Sequence, residues 1–300
     1  MDTNTRKSLF DRTRLRQRDV ARLKRGSMKW KYYILHRDIE GFYEQLHMYF
    51  SGCYKTINSR ISFCTTVMDR FEHIEKTFIK NILDNDSFPD CEFVLLNYNC
   101  PDPRTDEWAC NKLMPYIKSG KVNYYKYSDE SKSFHASHAR NVAFRLAKNN
   151  IVCNVDADNY LGRNFVAYVS AMLQQENIYL RGPVDRRGVA GRICCYKRDW
   201  EAVGGYDERF LNWGVEDSDL DSRLNLIGLE RKTIFPEKFC KCIQHSNELR
   251  SKHYQEDVKS SYKKNWALRG ENIARKTINP NGDNYGRGRV LKNCKEWIEL

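Results

Sequence analysis

Two short acidic clusters hold the residues best suited to chemistry. The first is Asn154-Val155-Asp156-Ala157-Asp158-Asn159, at the end of the apolar run 151–155. In an extended chain residues i and i+2 point the same way, so Asp156 and Asp158 share one face. Two such carboxylates offer hard oxygen ligands to Mg²⁺ or Mn²⁺, cations that bridge readily to phosphates. The same residues would also serve as a polar turn after a strand. The second cluster is Asn212-Trp213-Gly214-Val215-Glu216-Asp217-Ser218-Asp219. Trp213 beside Gly214 offers a flat apolar platform with open space above it. A carboxylate pair next to that platform suits a sugar with a hydroxyl to deprotonate. Acids in a helix's first turn also favour its dipole, so a capping role competes for Glu216, Asp217 and Asp219.

The elements that must position these clusters follow from periodicity. Ile61–Val67 reads as a strand, 72–83 as a helix and 92–97 as a short buried strand. A helix over 105–117, a strand at Val122–Tyr127, a helix over 137–148 and a strand at 151–155 follow. This alternation predicts an α/β domain with a mostly parallel central sheet. In such sheets ligands sit beyond the carboxyl ends of the strands, which is where Asp156 and Asp158 fall. Residues 220–226 and 254–266 read as helical, and 279–289 as an Asn/Gly-rich loop. In the first segment, Ile39, Phe42, Tyr43, Leu46, Tyr49 and Phe50 line one helix face. There is no GxGxxG and no GxxxxGK[ST], so a dinucleotide Rossmann site and a P-loop lack support.

Composition bounds the rest. Three hundred residues with 41% hydrophobic and 30% charged side chains are enough for a folded core. No apolar run is long enough to span a bilayer. The start, MDTNTRKSLFDRTRLRQ, lacks the apolar stretch of an export signal. The net charge of +12 is unevenly spread: residues 1–60 carry a balance of +8, 236–300 carry +6, and 61–235 carry −2. Basic flanks suit a polyanionic partner, or are simply solvated helices. Eleven cysteines are irregularly spaced with no CxxC, which argues against a zinc ribbon or a thioredoxin-like site, and without an export signal reduced cytosolic thiols are the expectation.

The order of motifs resembles the GT-A glycosyltransferases. Ser137-His138-Ala139-Arg140-Asn141, then Asp156-Ala157-Asp158, then Gly204-Gly205-Tyr206-Asp207 and Trp213-x-x-Glu216-Asp217 is similar to family 2 enzymes. The stretch 212–219 also resembles the WGGEDDD segment of animal β-1,4-galactosyltransferases and chondroitin-type transferases. At Lys241-Cys242-Ile243-Gln244-His245-Ser246 those galactosyltransferases have a Met-x-x-His-Ser segment that supplies metal ligands. The likeness covers roughly 60–246. It implies a GT-A, Rossmann-like nucleotide-sugar-binding domain at 59–246, with a basic helical N-terminal extension at 1–58 and a basic C-terminal extension at 247–300.

The resemblance also implies roles. Asp158, with Asp156 and His245, would hold Mn²⁺ or Mg²⁺ against the donor diphosphate, Asp156 lying near the ribose or the metal. Cys242 stands where the family has Met, and its thiol is a poor ligand for a hard metal. Asp217 would be the general base and Glu216 would bind a sugar hydroxyl, with Trp213 stacking near the sugars. Thr65, Thr66 and Val67 would approach the uridine, and Arg70 and Arg140 the nucleotide. Family 2 enzymes read uracil with an acidic turn after the second strand; here the turn is Asn97-Tyr98-Asn99, so Asn97 and Asn99 are the candidates and Tyr98 an alternative stacking partner.

The expected activity is metal-dependent, inverting transfer of a hexose or N-acetylhexosamine from a UDP-sugar to a hydroxyl acceptor. Its setting would be surface polysaccharide or lipid-linked glycan synthesis, in the cytoplasm or peripherally at an anionic membrane surface. One alternative is sugar transfer to modified bases of nucleic acid, with the basic flanks on phosphates. Another is a non-catalytic nucleotide-sugar or glycan-binding protein of the same fold.

Overall fold

The computed structural model describes residues 60–131, 133–174, 177–185, 188–244 and 252–300. These fall within one compact unit, Gly52–Leu300. The expected N-terminal extension, its helical stripe and His245 lie outside the described residues.

The chain begins with β1 (Ile61–Val67), α1 (Phe71–Leu83) and β2 (Glu92–Tyr98). Helices α2 (Arg104–Lys112) and α3 (Met114–Lys118) lead to β3 (Val122–Tyr127). The single helix expected over 105–117 is split because Pro115 lies in the first turn of α3, where its missing N–H costs nothing. Then come α4 (Ala136–Leu146), β4 (Ile151–Asn154), β5 (Asn159–Tyr160) and α5 (Phe165–Met172). Next are β6 (Ile178–Arg181), β7 (Ile193–Tyr196), α6 (Lys197–Ala202), α7 (Glu216–Leu226) and β8 (Glu230–Thr233). The chain ends with β9 (Lys241–Cys242), α8 (Val258–Arg275), β10 (Arg289–Lys292) and β11 (Glu296–Glu299).

Nine strands form one sheet in the order β11-β10-β3-β2-β1-β4-β7-β6-β8. Strands β3, β2, β1 and β4 are mutually parallel, while β7 and β10 run against their neighbours. This is the expected α/β architecture with a mostly parallel centre. β1 and β2 are buried almost end to end, which is why both read as continuous apolar runs. The chain reverses its direction of travel across the sheet between β1 and β4. That leaves a crevice beyond their carboxyl ends, the usual ligand position in such sheets.

The C-terminal segment, expected as an extension, joins this architecture. β10 pairs antiparallel with β3, placing Val290 opposite Tyr127, and β11 pairs with β10. That return brings Cys294 beside Cys110 at the end of α2, and the two form a disulfide across 184 residues. The expectation of reduced thiols is corrected for this pair, which only the fold brings together. Cys64, Cys91, Cys153, Cys194, Cys195 and Cys240 are buried and unbridged, as small apolar side chains. Among the described residues no helix is long and apolar enough to cross a membrane.

Closing a loop of this length restricts the unfolded chain strongly. Cys294→Ser is therefore expected to lower stability by about 2–4 kcal/mol in urea denaturation. Dithiothreitol should reproduce the loss in the wild-type protein and add nothing to the variant.

Candidate active site

β4 delivers the first acidic cluster. Past its end, the Val155 N–H still bonds the Cys64 carbonyl (2.9 Å), and the turn closes where the Asn159 N–H meets the Asp156 carbonyl (2.9 Å). Fully buried Asn159 donates its amide to Asp158 Oδ1 (2.8 Å) and accepts from Arg192 (3.1 Å). β5 then pairs with β9, and the Ile243 N–H bonds the Asp158 carbonyl (2.8 Å). The segment 241–244 thus starts beside Asp158.

The second cluster rests on a bent loop. Asn212, Gly214 and Val215 all have positive φ (59°, 92° and 79°). For a β-branched residue such as Val215 this is a costly backbone state, of the order of 1–3 kcal/mol. Helix α8 holds the loop in place. The Ser261 hydroxyl accepts from the Trp213 N–H and donates to the Trp213 carbonyl, both at 2.9 Å. One turn on, Asn265 donates to the carbonyls of Leu211 (3.0 Å) and Gly214 (2.8 Å). Tyr262 stacks on Trp213 with ring centroids 5.8 Å apart. A Cβ at Gly214 would come within 3.3 Å of the Tyr262 ring, on top of the strain its φ would impose.

Helix α7 begins directly after this loop, and its acids divide their work. Asp219 is fully buried, accepting from Arg223 (2.7 Å) and from Asn272 of α8 (2.9 Å). Glu216 and Asp217 instead turn toward Arg140 of α4. One Arg140 nitrogen donates to Glu216 Oε1 (2.7 Å) and Asp217 Oδ1 (2.9 Å), and the other reaches Asp156 Oδ1 (3.2 Å). One guanidinium therefore faces three carboxylates from two different elements. Burial, with the Glu216 and Asp156 charges adding to it, outweighs the attraction of Arg140 and pushes Asp217 up to about 7. Gly191 of the neighbouring segment makes the approach possible. A Cβ there would lie 2.9 Å from Asp156 Oδ2 and 3.0 Å from Asp217 Oδ2.

These groups line a cleft of about 720 Å³. The structure brings Thr66, Arg70, Arg140, Asp156, Asp158, Trp213, Glu216 and Asp217 to its wall. Thr65 and Val67 are buried in β1 on either side of Thr66. Asn97 and Asn99 are placed away from the cleft. The Asn97 amide donates to Asp106 (2.6 Å) and Tyr124 (3.2 Å). Asn99 donates to Asp129 and to the Ser133 carbonyl, both at 3.0 Å. Tyr98 stacks on Tyr127 (4.6 Å) rather than facing the cleft.

Three cleft residues carried no sequence signal. Arg181, at the end of β6, pairs with Asp221 (2.9 Å) and donates to the Ser218 hydroxyl (3.2 Å). Tyr254 projects from the segment before α8, and burial and the nearby Glu216 charge raise its phenol. Its neighbours Lys252 and His253 both engage Asp69 of the β1–α1 turn, at 2.5 and 2.9 Å, which holds that carboxyl below its ordinary range.

Among the described residues no three His, Cys, Asp or Glu side chains gather as a metal-binding group. Asp156 and Asp158 still fit a hard divalent ion. They are oxygen donors on the wall of one cleft, and Asp156 Oδ2 faces the room left by Gly191. Cations of this kind are commonly held by one or two carboxylates plus substrate phosphates. Cys242 lies opposite Asn159 in the β5–β9 pair, its sulfur accepting from the Gln244 amide (3.1 Å).

Comparison with known proteins bears on the family and the fold. The family model described as the N-terminal domain of galactosyltransferase matches residues 179–252, which contain the Trp213 loop and the start of α7. No curated protein sequence matches the chain. Among solved structures it is similar to the mannosyltransferase PcManGT from Pyrobaculum calidifontis, in complex with GDP-Man and Mn²⁺. The identity is 16%, 72% of this chain and 64% of that one are covered, and the TM-score is 0.52. It is also similar to residues 1–349 of S. aureus TarS in complex with UDP-GlcNAc, at 13% identity, 71% and 66% coverage and a TM-score of 0.56. The chain spans a little under two thirds of each. It has the GT-A glycosyltransferase fold.

A carboxyl whose pKa rises on folding destabilises the native state once it ionises. For Asp217 the cost is absent below its unfolded pKa near about 4, grows up to about 7 and is complete above that. Asp217→Asn is therefore expected to unfold at higher urea than the wild type at pH 8, by about 1–2 kcal/mol, with the gain vanishing near pH 4. Arg140→Met has the opposite sign. It leaves three carboxylates without their cation and should cost about 3–5 kcal/mol at pH 8.

Proposed function

We propose that the chain is a metal-dependent, inverting glycosyltransferase. It would move a hexose or N-acetylhexosamine from a UDP-sugar to a hydroxyl of a glycan or lipid-linked acceptor. The observation that carries this reading is the joint grip of Arg140 on Asp156 and Asp217. It ties the turn that would face the donor diphosphate to a carboxylate whose pKa suits a base at neutral pH.

In this reading Thr66 and its strand neighbours Thr65 and Val67 border the uridine, and Arg70 lies toward the nucleotide. Asp158 and Asp156, with His245 beyond the described residues, would hold Mn²⁺ or Mg²⁺. When bound, that ion supplies Lewis-acid stabilisation of the departing diphosphate. Trp213, fixed by Tyr262, offers its face to the sugar rings. Glu216 accepts a hydrogen bond from a sugar hydroxyl. The acceptor oxygen forms its bond to the anomeric carbon as the bond from that carbon to the UDP oxygen breaks. The acceptor proton passes to Asp217. A single displacement of this kind inverts the anomeric centre. The positive balance of the flanking segments suits an anionic membrane surface or acidic glycan near the acceptor.

A panel of UDP-sugars with Mn²⁺, read by released UDP, tests the activity. Asp217→Asn should lower kcat/KM about 100-fold or more while UDP binds within about threefold of wild type. A variant with near-normal turnover removes Asp217 as the base. In the wild type kcat/KM should rise with pH to a plateau, with an apparent pKa about 7 in the free enzyme. Asp158→Ala should weaken Mn²⁺-dependent donor binding by about tenfold or more. An unchanged metal titration would remove Asp158 from that role.

A further inference from the structure

Helix α8 inverts the usual pattern of a surface helix, which buries an apolar stripe and shows polar residues to water. Its buried side chains are Ser261, Asn265 and Asn272, which dock it by hydrogen bonds to the Trp213 loop and to Asp219 of α7. Its large aromatic residues, Tyr262 and Trp266, stay outside, each 42% exposed. Core packing therefore does not account for them. Adjoining exposed aromatic rings are instead a mark of a binding surface.

The two rings continue the cleft wall outward. Trp213 and Tyr262 both line the cleft, as do Glu216 and Asp217. Tyr262 stacks on Trp213 with an interplanar angle of 28°. Trp266 follows one helical turn after Tyr262, and those two rings meet edge to face. Three aromatic rings thus succeed one another in steps of 5.8 and 5.9 Å, from the cleft wall to the open surface. The far ring is held in advance of any ligand. The Arg269 guanidinium lies 4.9 Å from the Trp266 ring centre, and its own place is fixed by bonds to the Ser218 carbonyl (3.1 Å) and the Ser222 hydroxyl (2.7 Å). Rings fixed in this way bind at low entropic cost.

The chemistry of the strip suits a chain of sugars. A pyranose has an apolar C–H face that packs on an aromatic ring and an edge of hydroxyls that stays wet, and an oligosaccharide repeats both at every unit. Exposed Lys259 and Lys263, each three residues before one of the rings, offer donors for those hydroxyls. Because the strip starts inside the cleft, its occupant is one that also enters the cleft, which favours a glycan over a bilayer.

We propose that Tyr262 and Trp266 form an acceptor strip, on which the second and third sugars of an oligosaccharide stack while its terminal sugar lies at Trp213. This rests on the glycosyltransferase reading and adds that the acceptor is a chain of at least three sugars.

The test uses the full chain with UDP and Mn²⁺ on a microarray of hexose and N-acetylhexosamine oligosaccharides, one to six units long. The wild type is expected to bind trisaccharides and longer glycans about tenfold more tightly than the matching monosaccharides. Trp266→Ala should remove that gain, and Trp266→Tyr should keep most of it. UDP affinity, metal-dependent UDP-sugar hydrolysis and the urea midpoint should stay at wild-type level in both variants. Ile273→Ser, which removes an exposed apolar side chain further along the same helix, should change nothing. Length-dependent binding that survives in Trp266→Ala overturns the strip, and if binding to phosphatidylglycerol vesicles falls instead, the rings belong to a membrane contact. An equal loss in Ile273→Ser, or in UDP affinity of Trp266→Ala, overturns it too, as does a wild-type protein that hydrolyses donor but shows no preference for longer glycans. Absence of UDP binding and donor hydrolysis in the wild type would instead remove the glycosyltransferase reading itself.

Discussion

The site depends on one guanidinium surrounded by carboxylates. Arg140 lies almost out of solvent between Asp156, Glu216 and Asp217. One cation cannot neutralise three acids, and burial together with the two neighbouring charges raises Asp217. Glu216 keeps the shortest contact, at 2.7 Å, and Asp156 is the most open to water. Asp217 is left with burial and two like charges against it. A carboxyl near neutrality thus arises from burial and carboxylate crowding, a common route to a tuned acid in a polar pocket. The crowding requires that residue 191 have no side chain, since a single methyl would press on both Asp156 and Asp217.

A second polar network keeps this arrangement from relaxing. Asp207 accepts from Arg209 (2.7 Å) and from Asn272 (2.9 Å), and Asn272 also donates to Asp219. Arg223 completes the set by donating to the carbonyls of Val203 and Gly205. The glycine pair at 204–205, helix α7 and helix α8 are therefore one hydrogen-bonded body. Gly205 has φ of 69°, and a Cβ there would meet Asn141 Oδ1 at 2.6 Å, so the sequence Gly-Gly-Tyr-Asp is a packing requirement. Strain at Val215 persists because α8 holds the chain before it, through Asn265 to Leu211 and Gly214, and after it, through Arg269 to the Ser218 carbonyl.

Much of this was legible in the sequence because its signals are local. β1 and β2 are largely apolar, β3 is rich in Tyr, and α4 shows its buried face in Ala139, Val142 and Ala143. Asp156 and Asp158 follow a strand by simple alternation, and Trp213 through Asp217 form a compact motif. What escaped depends on contacts distant in sequence. Nothing near residue 110 announces a partner at 294, because the partnership exists only once β10 has paired with β3. Tyr254 and Arg181 look like ordinary polar residues until folding brings them beside Glu216 and Ser218. Asn97 and Asn99 show the converse. They occupy the expected position after β2, but their amides bond Asp106 and Asp129, which no local pattern encodes.

The charge pattern has a physical consequence beyond composition. The chain carries +12, yet residues 61–235 balance at −2 and the cleft wall holds more acids than bases in contact with one another. At physiological salt, fields between exposed charges fade over about 8 Å. The ionisation of Asp217 is set by burial and by charges within about 3 Å of Arg140, contacts too short for salt to screen. The excess of positive charge in the sequence can still raise the local concentration of an anionic surface or substrate, because attraction of that kind acts before binding and over the whole molecule. In the proposed enzyme, salt should consequently weaken substrate capture while leaving the apparent pKa of Asp217 near its low-salt value.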